Sequence, residues 1–420
     1  MKRELAQAVV SSLRLSGDPC DVQKLRRFKL GDWQRTLQWL DDSGLALYLL
    51  RHLYRTGDTE VVPPEILARL EASRMENELR WEYLAERFAG LNESFQRAGV
   101  PFAVIKGLSL VPEYCPDAVL RAPSDFDYLV DRQSLTLARR VLEEAGYRLQ
   151  KSSEIELKFC KPSPRMPTIS DSPYSIHTEF LVELHIGFWN RANRVPVNEP
   201  LFSLEQAVPH TWGGLRFPVL NARDAFLLQV LHVLQHTLEG WVKLCWLLEI
   251  GFFLARHSSD VDFWRQVDDR MQAVPYLGEF AAVVIELSRI VFSSPAPDLA
   301  RDWMQSLRAT SRLWLENYAE IWAFDDHPLS RSKLFSTAKL ALFLHQGYIP
   351  DAVVRGELIR QRLFPWKRPD QVAFPVDHKR ASMLAAGQLQ LRWMVDRLIF
   401  HSGSSLRYLW EVRRWRELTS

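Results

Sequence analysis

Two carboxylates one residue apart, in Arg121-Ala-Pro-Ser-Asp-Phe-Asp-Tyr-Leu-Val130, set the first chemical constraint on this chain. Side chains alternate faces along an extended strand, so Asp125 and Asp127 project to one side while Phe126 and Tyr128 point to the other. Anions placed so closely repel unless a cation lies between them. Hard Mg²⁺ prefers oxygen ligands and commonly joins one or two carboxylates to substrate phosphates. A pair of such ions stabilises both the attacking and the leaving oxygen of a displacement. The Asp-x-Asp is thus a candidate half of a divalent-metal site, and the competing reading is an acidic strand edge or turn.

The run Phe180 to Phe188 supplies a possible second half. Glu183 lies in an apolar strand, where an unpaired carboxylate is costly. It is the third candidate ligand, with a salt bridge as its alternative. His185 shares the face of Glu183 and is read as a metal-side or phosphate contact, or else as a packed, hydrogen-bonded imidazole.

The elements that must position these groups follow from periodicity and punctuation. Residues 1–98 read as helices, with Trp33, Leu37, Trp39, Leu40, Leu45 and Leu49 recurring near helical spacing. One extended helix is expected from Pro64 to Ala98, stopped by Gly99 and Pro101. Phe102–Ile105 reads as a buried strand, followed by a short helix over 108–115. Residues 125–130 form a strand, Ser134 to Ala145 a helix, and two further β-rich runs cover Glu154 to Cys160 and Phe180 to Phe188. A Pro/Ser-rich loop, 161–175, separates those two runs. From Asn221, a plausible N-cap with Asp224 three residues on, helical patterns persist to the end, broken by an exposed connection over Pro365 to Pro375. The fold class is α+β: a small mixed sheet, 99–219, flanked by helical regions 1–98 and 220–420.

Composition narrows the class. A chain of 420 residues with 47% hydrophobic residues buries a substantial core, and 53 basic against 51 acidic residues leave a net charge of +2. That balance demands neither nucleic acid nor an anionic membrane as partner. Cys20, Cys115, Cys160 and Cys245 form no C-x-x-C pair, which fits reduced thiols in a cytoplasmic protein. The N-terminus lacks the apolar core of a signal peptide. The most apolar window, Trp241 to Ala255, is interrupted by Lys243 and Glu249 and is too short to span a membrane, so it reads as a buried helix. His232 and His236 share a helix face, which would permit metal binding, but with Leu228, Leu231 and Trp241 around them they are read as structural histidines rather than a zinc pair. Glu249 is expected to pair with Lys243 or a histidine. The basic and aromatic stretch Arg407 to Arg416 reads as a solvated helix face with aromatic packing residues, the alternatives being contact with RNA, a membrane surface or a protein partner.

Asp32-Trp33 and the helix to Leu53, Gly99-Val-Pro-Phe-Ala-Val-Ile-Lys-Gly107, Tyr114, Arg121, Asp125-Phe-Asp-Tyr-Leu-Val130, Val182-Glu-Leu-His185, Leu231-His232 with His236, and Trp246-Leu-Leu-Glu-Ile250 occur in this order. On these residues the chain resembles the uncharacterised nucleotidyltransferase family of bacteria, a distant branch of the DNA polymerase β-like superfamily, over roughly residues 30–255. The resemblance implies that Asp125 and Asp127 hold two Mg²⁺ (or Mn²⁺) ions and that Glu183 orients or deprotonates an acceptor hydroxyl. It places Lys106 and Gly107 beside the triphosphate of an NTP, ATP by expectation, with Ser109 as an added donor. Better-known members carry Gly-Ser shortly before the Asp-x-Asp; here Lys106-Gly107 stands farther away, and Arg121 is the candidate replacement at phosphate, unless it only pairs with Asp117 or Asp125. The acceptor, whether small molecule, saccharide, protein or RNA, is not specified. The rival expectation is a noncatalytic scaffold that binds a partner through its helices.

Overall fold

The computed structural model describes residues 3–16, 18–161, 172–176, 180–197, 201–324, 336–365 and 383–419. The side chains of 19–20, 383–393 and 396 are outside that description, as are most of the expected 161–175 loop and of the Pro365 to Pro375 connection. The fold is α+β, as the periodicity indicates.

A seven-stranded mixed sheet comprises β1 (Phe102–Ile105), β2 (Asp125–Val130), β3 (Arg148–Ser152), β4 (Glu156–Cys160), β5 (Leu181–His185), β6 (Val208–Trp212) and β7 (Leu215–Val219). Its strand order is β3-β4-β5-β2-β1-β7-β6. β2 runs parallel to β5 and antiparallel to β1, so the two carboxylate-bearing strands are neighbours at the centre of the sheet. Strands β3, β6 and β7 were not legible in the sequence, because their exposed positions break the apolar alternation. β6 and β7 form a hairpin closed by Gly213-Gly214, both at positive φ, as a tight two-residue turn requires.

The expected long helix is present as Pro64–Arg97, capped at Ala98, with Gly99 at φ 68°. It packs on one sheet face. The Phe88 ring meets Phe126, Tyr128 and Phe217 at centroid distances of 5.1, 6.3 and 4.9 Å, and Phe95 meets Phe102 and Tyr128. Asn92 donates to the Tyr128 hydroxyl at 3.2 Å, so the buried phenol is satisfied. On the opposite face Ala103, Ile105 and Leu129 join Leu220, Leu228 and Phe188 in a second apolar cluster, and the carboxylates lie on this face.

The Asn221 cap is realised: its side-chain oxygen accepts from the Asp224 backbone at 3.0 Å, and its amide donates to the Asp224 carboxylate. The apolar window becomes the helix Leu244–His257, largely buried. No helix of the described residues is long and apolar enough to cross a membrane.

The chain divides into two compact units. The first comprises residues 1–190, 197–235 and 243–306, and contains the whole sheet. The second comprises 191–196, 236–242 and 307–420. Within the second, Phe343 stacks on Tyr408 and Trp415 while Tyr318 packs beside both Phe343 and Trp415. The Arg407 to Arg416 stretch therefore buries Tyr408 and Trp415, but leaves Trp410 81% exposed.

Phe88 is the side chain that ties two strands, β2 and β7, to the long helix. Phe88→Ala should lower stability by about 3–5 kcal/mol, the usual range for emptying a buried aromatic site. Urea unfolding of the two proteins measures it, and a loss below about 1 kcal/mol would mean that the helix does not brace β2.

Candidate functional site

Register assembles the site. Asp127 on β2 is the partner of Glu183 on β5, and Glu183 is in turn the partner of Lys158 on β4. Asp125 and His185 stand two residues along on the same face, as strand alternation requires. The structure thus brings Asp125, Asp127, Glu183 and His185 together, and adds Lys158, which had not been singled out from the sequence.

Asp127 and Glu183 each face a cation. Asp127 Oδ1 accepts from Lys106 Nζ at 2.9 Å and from His185 Nε2 at 2.7 Å. His185 Nε2 also lies 3.4 Å from Glu183 Oε2, so that nitrogen faces two acceptors and must carry the proton. Lys158 pairs with Glu183 and lies 3.4 Å from Glu156. The His185 ring stacks on Phe188 at 5.7 Å.

These pairings set the acidities. Burial by itself would raise the Asp127 carboxyl, but Lys106 and His185 outweigh it and hold the group well below the usual carboxylate range. Burial likewise opposes ionisation of Glu183, and contacts with His185 and Lys158 bring it below its ordinary value. His185 is raised despite burial and the nearby Lys106 charge, because Asp127 and Glu183 favour its protonated form. Asp125 has no such partner at contact distance. Burial, then repulsion from Asp127 and Glu183, lifts it to about 7.

Lys106 occupies an unusual backbone position. Its φ of 55° with ψ −161° lies in a region that favours glycine, at a cost on the order of 1–3 kcal/mol for a residue with a side chain. Gly107 follows at φ 46°, and a Cβ added there would meet nothing within 4 Å. The glycine is therefore needed for its backbone angle, while open space beside it leaves room for a ligand. Ser109 spends its hydroxyl proton on the Lys106 carbonyl at 2.8 Å, holding this turn.

Arg121 departs from its expected pairings. Its Nε lies 3.3 Å from Glu249 Oε1, not against Asp117 or Asp125. Glu249, expected to meet Lys243 or a histidine, also accepts from the Tyr48 hydroxyl at 2.7 Å. Cys115 lies 3.0 Å from that hydroxyl, and its thiol donates to the Asp117 carbonyl. Burial raises the Cys115 and Cys245 thiols to about 12, so neither is a reactive thiolate at neutral pH.

The loop before β2 is pinned from the long helix as well. Asn77 donates to the carbonyls of Val119 and Arg121, Trp81 to that of Arg121, and Arg80 to that of Pro123. Sequence reasoning passed over these residues. Their signal was present in the core-facing spacing 77, 80, 81, 84, 88, where polar side chains interrupt an apolar stripe. His232 and His236 pack against Trp246 and Trp241 at centroid distances of 4.4 and 4.2 Å.

With this geometry established, residues 29–292 match a family described as uncharacterised nucleotidyltransferase. The chain belongs to this nucleotidyltransferase family. No curated protein matches it in sequence. The matched segment contains all of the site residues above. Membership implies a nucleotide substrate and a divalent metal, and the residues fit such an ion. Ligand atoms of Asp127, Glu183 and His185 all lie within 4.8 Å of one another, two carboxylates and an imidazole that would ligate only on losing its Nε2 proton. The elevated Asp125 carboxyl is further support, since repulsion between neighbouring carboxylates is what a bound cation relieves.

Two measurements probe this electrostatic arrangement. Asp125 takes up its proton near pH 7 when folded but near 3.8 when unfolded, so the folded state binds more protons between those values and stability falls as pH rises through them. In chelator at pH 8, Asp125→Asn should therefore melt at least about 3 °C above wild type, with the gap closing below about pH 4. A lower melting temperature at pH 8 would contradict the assignment. Arg121→Met should cost about 3–5 kcal/mol by leaving Glu249 buried without its counter-charge. Adding Glu249→Leu should recover part of the loss in denaturant titrations.

Proposed function

We propose that this chain transfers a nucleoside monophosphate from an NTP, with ATP as donor, to an acceptor hydroxyl, releasing pyrophosphate. The reading places it in the DNA polymerase β-like superfamily and in the cytoplasm. The observation that carries it is the grouping of Asp127, Glu183 and His185, with Asp125 on the same face, in a chain of a nucleotidyltransferase family.

Asp125, Asp127 and Glu183 would hold divalent metal, Mg²⁺ or Mn²⁺, which when bound neutralises phosphate charge and lowers the barrier to displacement at phosphorus. The acceptor oxygen forms a bond to the α-phosphorus as the bond to the bridging oxygen breaks, and pyrophosphate carries away the electron pair. Glu183 orients the acceptor hydroxyl and takes its proton, and Lys158 keeps that carboxylate ionised until it does so. Lys106, presented by the strained turn at Gly107, exchanges its contact with Asp127 for a phosphate oxygen. His185 holds Asp127 in place through Nε2. Arg121 acts on the site indirectly, by fixing the loop before β2 through Glu249.

One observation favours a noncatalytic scaffold as the second reading. Lys106, Lys158 and His185 already neutralise two of the three carboxylates without metal. Thermal unfolding with Mg²⁺ and each NTP in turn separates the readings. A ligand at about 100 times its dissociation constant adds about 2.7 kcal/mol, which raises the melting temperature by a few degrees. The proposal expects a rise that requires both metal and nucleotide and disappears in Asp125→Asn/Asp127→Asn. A folded wild type that responds to none of them supports the scaffold.

A further inference from the structure

The second compact unit contains a cavity of about 300 Å³, lined entirely by its own residues. Its lining combines an apolar part, including Trp241, Leu342 and Phe400, with Lys339, Arg362, His401 and Glu239. That volume is at the lower end of the range for small-molecule sites.

Among the described residues, the charges around it do not balance. Lys339 is only 8% exposed, and its ammonium donates to Ser405 Oγ at 2.6 Å, to the His401 carbonyl at 3.1 Å and to the Leu363 carbonyl at 3.4 Å. All three acceptors are neutral. Burial lowers the Arg362 guanidinium, opposed only in part by the charge of Glu239, and among the described residues His401 Nδ1 is buried without a hydrogen-bond partner. Glu239 supplies a negative charge but also faces His236 Nδ1 at 3.4 Å. Burial, then repulsion from Arg362 and Arg397, brings Lys339 down to about 8. Burial followed by repulsion from Lys339 and Arg397 lowers His401 to about 4, so its ring is neutral and can donate from one nitrogen.

Cations gathered at a partly desolvated cavity, with Glu239 the single lining carboxylate among the described residues, are costly unless an anion joins them. We infer that this cavity binds a small organic anion, a phosphate monoester or carboxylate on an apolar or aromatic body. The Arg362 guanidinium offers the forked donor geometry that either group accepts. The His401 nitrogen offers a further hydrogen bond. Trp241, Leu342 and Phe400 bury the body. The inference is independent of the nucleotide reading, since it uses none of the residues of that site.

The test is calorimetric titration of the full chain, in chelator and without nucleotide, with phenyl phosphate, benzoate and neutral benzyl alcohol. One anion or both should bind with a single-site stoichiometry, at least about tenfold more tightly than benzyl alcohol. The tighter of the two identifies the anionic group. Arg362→Met should weaken binding about tenfold or more, Arg362→Lys less, and Asp125→Asn/Asp127→Asn not at all, with circular dichroism confirming that each variant is folded. Equal binding of benzyl alcohol, retention of affinity in a folded Arg362→Met protein, or no heat from either anion up to about 10 mM would overturn the inference.

Discussion

Repulsion among Asp125, Asp127 and Glu183 is the constraint around which the first unit is built. Three carboxylates on one face of adjacent strands destabilise the fold unless positive charge is brought to them. The chain does so from three directions: Lys106 from the turn after β1, Lys158 from β4 and His185 from the same strand as Glu183. Compensation is uneven. Asp127 and Glu183 are held ionised, whereas Asp125 is left with an acidity near neutrality. That asymmetry leaves Asp125 as the carboxylate of the three whose repulsion the neighbouring cations relieve least.

The remainder of the first unit holds these charges still. Phe88 and Phe95 fix the reverse face of β2, while Asn77, Arg80 and Trp81 bond the backbone just before it. Arg121, Glu249 and Tyr48 connect the same loop to two other helices through a buried pair whose polar atoms are costly to separate. The strained backbone at Lys106 is tolerable because β1 on one side and the Ser109 hydroxyl on the other determine its course. Such strain at a charged residue beside a glycine that borders open space is the kind of local cost that functional sites accumulate. The family match, which spans 29–292, includes both the sheet and the helices that brace it.

The balance between sequence and tertiary structure can be followed residue by residue. Alternation along a strand is a local property, so the shared face of Asp125 and Asp127, and that of Glu183 and His185, could be read directly. The long helix and its stop at Gly99 were equally legible, since helix propensity and termination act over a few residues. The Asn221 cap, and the buried helix after Lys243, were local in the same sense. By contrast, β3, β6 and β7 carry exposed or mixed faces, and only pairing with neighbours makes them strands.

What the amino-acid order determined by itself was therefore the set of chemical groups and the face of each element on which they lie. Which groups meet was decided by tertiary structure. Lys158 opposes Glu183 because of strand register, and Arg121 meets Glu249, rather than Asp117 or Asp125, because helix packing brings a distant carboxylate into a desolvated pocket. The cluster of Lys339, Arg362 and His401 has no sequence signature at all, being drawn from three separated segments. Ion pairs and cavities depend on distances of a few ångströms between elements far apart in the chain, and local periodicity contains no information about those distances.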